Sequence, residues 1–365
     1  MSTTLRKEET AMEVFRKVLV LVAVVALGFG MVSCSRDINV TEQVTQGPQS
    51  CFECHSDTTT FLVAAAGQWE SSKHASGGTL NENGSSCKGC HTSEGFVARA
   101  AGSPLPGSAT VDNPTAIHCF TCHAPHSNGD FRLRWNSIAT LQDGTTFDLG
   151  AANICVLCHQ SRRNVNTYVT NPVTMSTRFG PHHGVQGDML LGSNGYEYAG
   201  YTYEQTNHRV ATEDGCLDCH FKTGVGYVVG GHSFNMEADL GSEEVRNVAA
   251  CADCHGEIED FNEVGAVQDS VDMYAAQLGT LLEDAGLMEP NPESPGTLRA
   301  LEVTTSADSA GAVWNYLMAT EDRSHGVHNA KYILGLLKSA IQYMESAPGA
   351  PSFLTPERPL AVHKR

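Results

Sequence analysis

Cys119-Phe120-Thr121-Cys122-His123 is the third of six runs built on one template, two cysteines separated by two residues with a histidine directly after. The others are Cys51-Phe-Glu-Cys54-His55, Cys87-Lys-Gly-Cys90-His91, Cys155-Val-Leu-Cys158-His159, Cys216-Leu-Asp-Cys219-His220 and Cys251-Ala-Asp-Cys254-His255. Histidine is only 16 of the 365 residues, so its recurrence at all six places is not chance. Zinc ribbons would group the cysteine pairs two by two and place no demand on the next residue, and redox-active pairs would sit in a βαβ pattern that this chain lacks. What needs this spacing is a porphyrin. Two thiols on one side of the ring form thioethers with its vinyl groups, and the adjacent imidazole reaches the iron from the same face. The sequence therefore predicts six covalently bound haem c groups with proximal iron ligands His55, His91, His123, His159, His220 and His255.

Twelve of the 13 cysteines lie in these runs, and the remaining one is Cys34. Arg6, Lys7, Arg16 and Lys17 form a basic region ahead of the apolar stretch Val18 to Val32, too short for a comfortable membrane span. This reads as a secretory signal over residues 1–33, with Met12 as a candidate start. Met31-Val32-Ser33-Cys34 resembles a bacterial lipobox, with Met31 where leucine is usual, and makes Cys34 the lipidation site. Export agrees with haem attachment outside the cytoplasmic membrane. Ser35 rather than aspartate after the modified cysteine favours the outer membrane, with the protein facing the periplasm or the cell surface. With twelve thiols on haem and one on lipid, no disulfide is expected. The net charge of −18 excludes nucleic acid as a partner and suits docking to a basic protein.

The spacing between successive runs is 36, 32, 36, 61 and 35 residues, a loose series of attachment units with one long insertion between His159 and Cys216. Intervening segments are rich in Gly, Ser, Thr, Asn and Pro. The expected fold is mainly α with extensive irregular loops, in which stacked haems form the core. Without haem such a chain is expected to be largely unfolded. The alternating Tyr196, Tyr198, Tyr201 and Tyr203 of the insertion are expected to pack on a haem face. Beyond His255 the pattern turns helical, predicting helices over 266–285, 309–320 and 329–345. The organisation is thus a signal over 1–33, a tether over 34–50, a hexahaem region over 51–265 and a C-terminal helical segment over 266–365 that supplies a distal ligand.

Ten histidines lie outside the six runs, enough to cap every iron from its second face. Met175, Met189, Met236 and Met273 are alternatives. The leading distal candidates are His74, His126, His183, His208, His232 and His328. His126 follows its own proximal histidine by three residues and must serve a neighbouring haem; His118, directly before Cys119, is equally suited to a spacer role. Of the adjacent His182 and His183, one is expected on iron, and His183 is preferred.

The six runs with their surplus of histidines resemble bacterial multihaem c-type cytochromes of the bis-histidine kind. Asp322-Arg-Ser-His-Gly-Val-His328-Asn329, followed by a long helix, looks like the C-terminal ligand helix of the group containing pentahaem nitrite reductases and octahaem hydroxylamine oxidoreductases. That resemblance implies a distal role for His328. Every run here ends in histidine, unlike the Cys-x-x-Cys-Lys site of the nitrite reductases. The hexahaem count is similar to that of outer-surface cytochromes of metal-reducing bacteria, some of which form homo-oligomeric filaments.

The function implied is an electron carrier with no catalytic residue, exchanging electrons with other cytochromes, a quinol-oxidising complex or an extracellular acceptor. The rival is a haem enzyme reducing a small nitrogen or sulfur oxyanion at one five-coordinate iron, with Arg132, Arg134, Arg162 or Arg163 binding the anion.

Overall fold

The computed structural model describes residues 59–76, 80–222, 225–241 and 243–346. The signal over 1–33, Cys34, the first run Cys51/Cys54/His55 and His363 lie outside these residues. Helices dominate, and the strands described form four two-stranded antiparallel pairs. The longer helices are α1 (Thr60–Glu70), α2 (Ser93–Ala100), α3 (Val267–Asp284), α4 (Ala307–Asp322) and α5 (Ala330–Ser346).

Local sequence explains several boundaries. Thr92 caps α2 by accepting from Gly95 N, and Ser306 caps α4 by accepting from Ser309 N at 3.1 Å. Arg323 ends α4 in the left-handed region.

The main core is built by α3, α4 and α5, where Leu278, Leu282, Trp314, Met318, Tyr332, Leu336 and Leu337 are all at 0% exposure. Each such aliphatic side chain contributes roughly 1.5–3 kcal/mol on burial. The rest of this core comes from the long insertion, through Val165, Val173, Phe179, Val185, Met189 and Tyr198. A strand pair joins the two: Val173–Thr174 runs antiparallel to Thr304–Thr305, and the Thr174 and Thr304 hydroxyls hydrogen-bond at 2.9 Å.

Tyr196, Tyr198 and Tyr203 thus pack on protein rather than on the haem region, and Tyr201 is exposed. Tyr196 lies against Gly311 of α4, and its backbone is bracketed by Asn315, which accepts from Tyr196 N and donates to Tyr196 O, both at 2.8 Å. Tyr198 donates its hydroxyl to Asp308 O at 2.7 Å, and Tyr203 donates to Ser339 Oγ at 3.0 Å. These partners are more than 100 residues away in sequence, so alternation alone indicated a buried face without saying what buries it. None of the described attachment cysteines belongs to this core, which is filled by protein side chains.

Candidate haem sites

Each described attachment run forms a single helical turn. His91, His123, His159 and His255 donate their backbone N–H to the carbonyl of the first cysteine of their own run, at 2.9–3.1 Å. This turn places both thiols and the imidazole on neighbouring positions of one face. Arg134 braces the third run from outside, donating from Nη2 to Phe120 O at 2.7 Å and from Nε to Thr121 O at 3.3 Å. One continuous cavity of about 2270 Å³ is lined by all ten described attachment cysteines. Trp69, Phe96, Phe131, Phe234 and Phe261 contribute to its walls.

Across this cavity the proximal histidines face other histidines. Ring centroids are 6.2 Å apart for His91 and His182, and 6.3 Å for His123 and His232. They are 6.1 Å apart for His159 and His74, 6.2 Å for His220 and His328, and 6.1 Å for His255 and His208. An imidazole nitrogen sits about 2 Å from a bound transition metal, so two opposed rings on one ion have centres roughly 6 Å apart. Five separate pairs meet that requirement in a cavity walled by the cysteines that would tether the porphyrins. The residues present fit haem c.

Hydrogen bonds hold several of these rings by Nδ1, leaving Nε2 toward the cavity. His123 is bonded to Phe131 O at 2.6 Å, His220 to Phe234 O at 2.8 Å, His208 to Val327 O at 2.9 Å and His159 to Gln186 Oε1 at 3.1 Å. His328 is bonded to Asp322 Oδ1 at 2.7 Å. Such bonds fix both tautomer and orientation of a metal ligand. Burial lowers the pKa of His74, His182 and His220 to about 4 in each case. They are therefore neutral, the form that binds metal. At His328 burial opposes protonation, but the charge and hydrogen bond of Asp322 outweigh it and the pKa is raised.

The structure puts His182, not the preferred His183, opposite His91. His183 turns away, and its Nδ1 is bonded to Glu321 Oε2 at 2.7 Å. His182 takes a left-handed backbone conformation, φ 76°, which directs the two neighbours to different sides. No local signal distinguishes them, because the partner of His183 lies 138 residues away. His126 stands beside Phe120, ring centroids 5.8 Å apart, on the turn Pro125–Asn128. His118 caps the third run, accepting from Phe120 N at Nδ1, and His325 pairs with Asp272 at 2.6 Å.

Sulfurs of different runs adjoin each other. Cys90 is close enough to Cys158, and Cys155 to Cys216, for the thiols to affect one another's ionisation. Cys219 is close enough to Cys251 for their charges to interact. Among the described residues no helix is long and apolar enough to cross a membrane.

No family model matches the chain. It is 24% identical over 246 residues to the C-type polyheme cytochrome OmcB from two strains of Geobacter sulfurreducens, a match covering 54% of this chain and 31% of the relative. The chain thus spans about a third of the length of these curated relatives. The crystal structure of outer cell wall cytochrome OcwA is similar with a TM-score of 0.48 and 19% identity, covering 76% of this chain and 49% of that one. The attachment runs and the likeness to OmcB together define a multihaem c-type cytochrome with covalently bound haem c.

Proposed function

We propose that this cytochrome carries electrons along six haem c groups, one on each Cys-x-x-Cys-His run, every iron capped on both faces by imidazole. The observation that carries this reading is the set of five opposed histidine pairs at 6.1–6.3 Å. The ligand pairs are His91 with His182, His123 with His232, His159 with His74, His220 with His328 and His255 with His208. His126 cannot reach the far face of its own haem and would serve a neighbouring one. Bound haem c supplies one-electron exchange between ferric and ferrous iron.

The protein's own residues do the rest. Cysteine thioethers fix each ring, the Nδ1 hydrogen bonds orient the imidazoles, and the aromatic walls keep water from the cavity. The nearness of Cys90 to Cys158, and of Cys155 to Cys216, brings the tethered edges of the second, fourth and fifth groups toward one another. Close edges favour transfer between neighbours.

Export and a lipid anchor on Cys34, in the outer membrane, complete the proposal. An acidic protein held there suits exchange with other cytochromes, a quinol-oxidising complex or an extracellular acceptor, and a homo-oligomer would extend the path. The rival, an oxyanion-reducing enzyme, needs an iron that no side chain faces. Its candidate arginines have other partners: Arg134 braces the third run, Arg132 pairs with Asp130 at 2.6 Å, Arg162 donates from Nη2 to Ser86 Oγ at 3.3 Å and Arg163 lies over the Tyr168 ring. Electron paramagnetic resonance with near-infrared magnetic circular dichroism separates the two. Six low-spin bis-histidine haems uphold the carrier; a high-spin signal from one of the six overturns it in favour of the enzyme.

A further inference from the structure

In the pair His220 and His328 the two rings differ in what stands behind them. Behind His123, His159, His208 and His220 the Nδ1 acceptor is a neutral carbonyl or amide oxygen. Behind His328 it is the Asp322 carboxylate, at 2.7 Å and only 2% exposed.

Asp322 is an odd place for a charge. It is the last residue of α4, where the negative end of the helix dipole disfavours a carboxylate. Its other described partner is the Ser324 hydroxyl. The neighbouring Arg323 approaches Glu321, at 3.9 Å, rather than Asp322. A carboxylate enclosed this way is costly unless positive charge answers it. In the haem-loaded protein that charge lies on the ferric centre beyond the imidazole. The hydrogen bond also makes the ring a stronger electron donor. Both effects favour ferric over ferrous iron and so lower the reduction potential.

We propose that Asp322 is a positioning residue that lowers the reduction potential of the haem on Cys216, Cys219 and His220; this rests on His328 being its distal ligand. The sulfurs of that run lie near Cys155 of the fourth run and Cys251 of the sixth, so its potential bears on electrons passing between those two.

The test is a spectroelectrochemical titration of the haem-loaded wild type, Asp322→Asn and His328→Ala, with spin states read by electron paramagnetic resonance. Asp322→Asn is expected to keep every haem low-spin while one midpoint potential rises by about 59 mV, a tenfold change in a one-electron equilibrium. A set of unmoved midpoints overturns the proposal, and so does a new high-spin haem in Asp322→Asn, which would make the carboxylate a mere prop for the ligand. His328→Ala separates this from failure of the ligand assignment: one high-spin haem upholds the assignment, and an unchanged spectrum removes it and the proposal with it. Should Asp322→Asn not mature, Ser324→Ala frees the carboxylate toward the imidazole and is expected to lower the same midpoint; a rise or no change overturns the proposal.

Discussion

His182 faces His91 across the cavity with ring centroids 6.2 Å apart, while its neighbour His183 is held outward by Glu321 at 2.7 Å. Two adjacent histidines thus face different ways, one toward the second run and one toward α4. Replacing His182 by alanine is expected to convert one of six haems to high spin. His183→Ala is expected to leave the low-spin count unchanged. Electron paramagnetic resonance of the two purified variants checks this, and high-spin haem in His183→Ala alone would reverse the assignment.

Asp188 links the insertion to the fourth run, accepting from Ser161 N at 2.7 Å and from Asn194 Nδ2 at 3.1 Å. Burial pushes its pKa up to about 6, against these two hydrogen bonds. The unfolded chain loses that proton near pH 4, so between about pH 4 and 6 the folded state holds more protons. Stability from this group is complete below pH 4 and lost as pH rises through 6, a fall on the order of 1–3 kcal/mol. Asp188→Asn cannot titrate and is expected to flatten this slope. It also leaves one of the two donors facing an amide, so it is less stable at every pH. Urea midpoints at pH 4, 5 and 7 measure both effects; an equal slope in the variant would refute the role given to Asp188.

Gly95 sits where a Cβ would come 2.2 Å from Lys88 O, a backbone atom of the second run. Alanine there cannot be relieved by a side-chain rotation. Gly95→Ala is expected to cost about 1–3 kcal/mol by overpacking and to shift the Cys87–His91 turn. Thermal unfolding of the loaded protein checks the first part, and a perturbed visible spectrum of one haem checks the second.

The core around Trp314 contains none of the described attachment cysteines, and Trp314 donates from Nε1 to Asn194 O at 2.8 Å inside it. Full-length chain made without haem is therefore expected to keep helical circular dichroism and a cooperative unfolding transition, with Trp314 emitting as a buried indole. This replaces the expectation of a largely unfolded apo chain. Loss of both signals would show that the helices depend on the haem region after all.

The chemistry of this protein was legible because it is local. Cysteines at i and i+3 with histidine at i+4 define an attachment turn within five residues, and the helices expected over 266–285, 309–320 and 329–345 form as Val267–Asp284, Ala307–Asp322 and Ala330–Ser346. What needed the fold was long-range. Tyr203 meets Ser339, Asn315 meets Tyr196, and His183 meets Glu321 across separations that carry no pattern in the sequence. The insertion reads as a decoration of the haem region, yet it supplies much of the wall against which α4 and α5 pack.

Intact mass of the matured protein under denaturing conditions bears most directly on the whole account. Six haem increments above the mass of the processed polypeptide are expected, one for each cysteine pair followed by histidine. Five or fewer in homogeneous, fully matured material would contradict it.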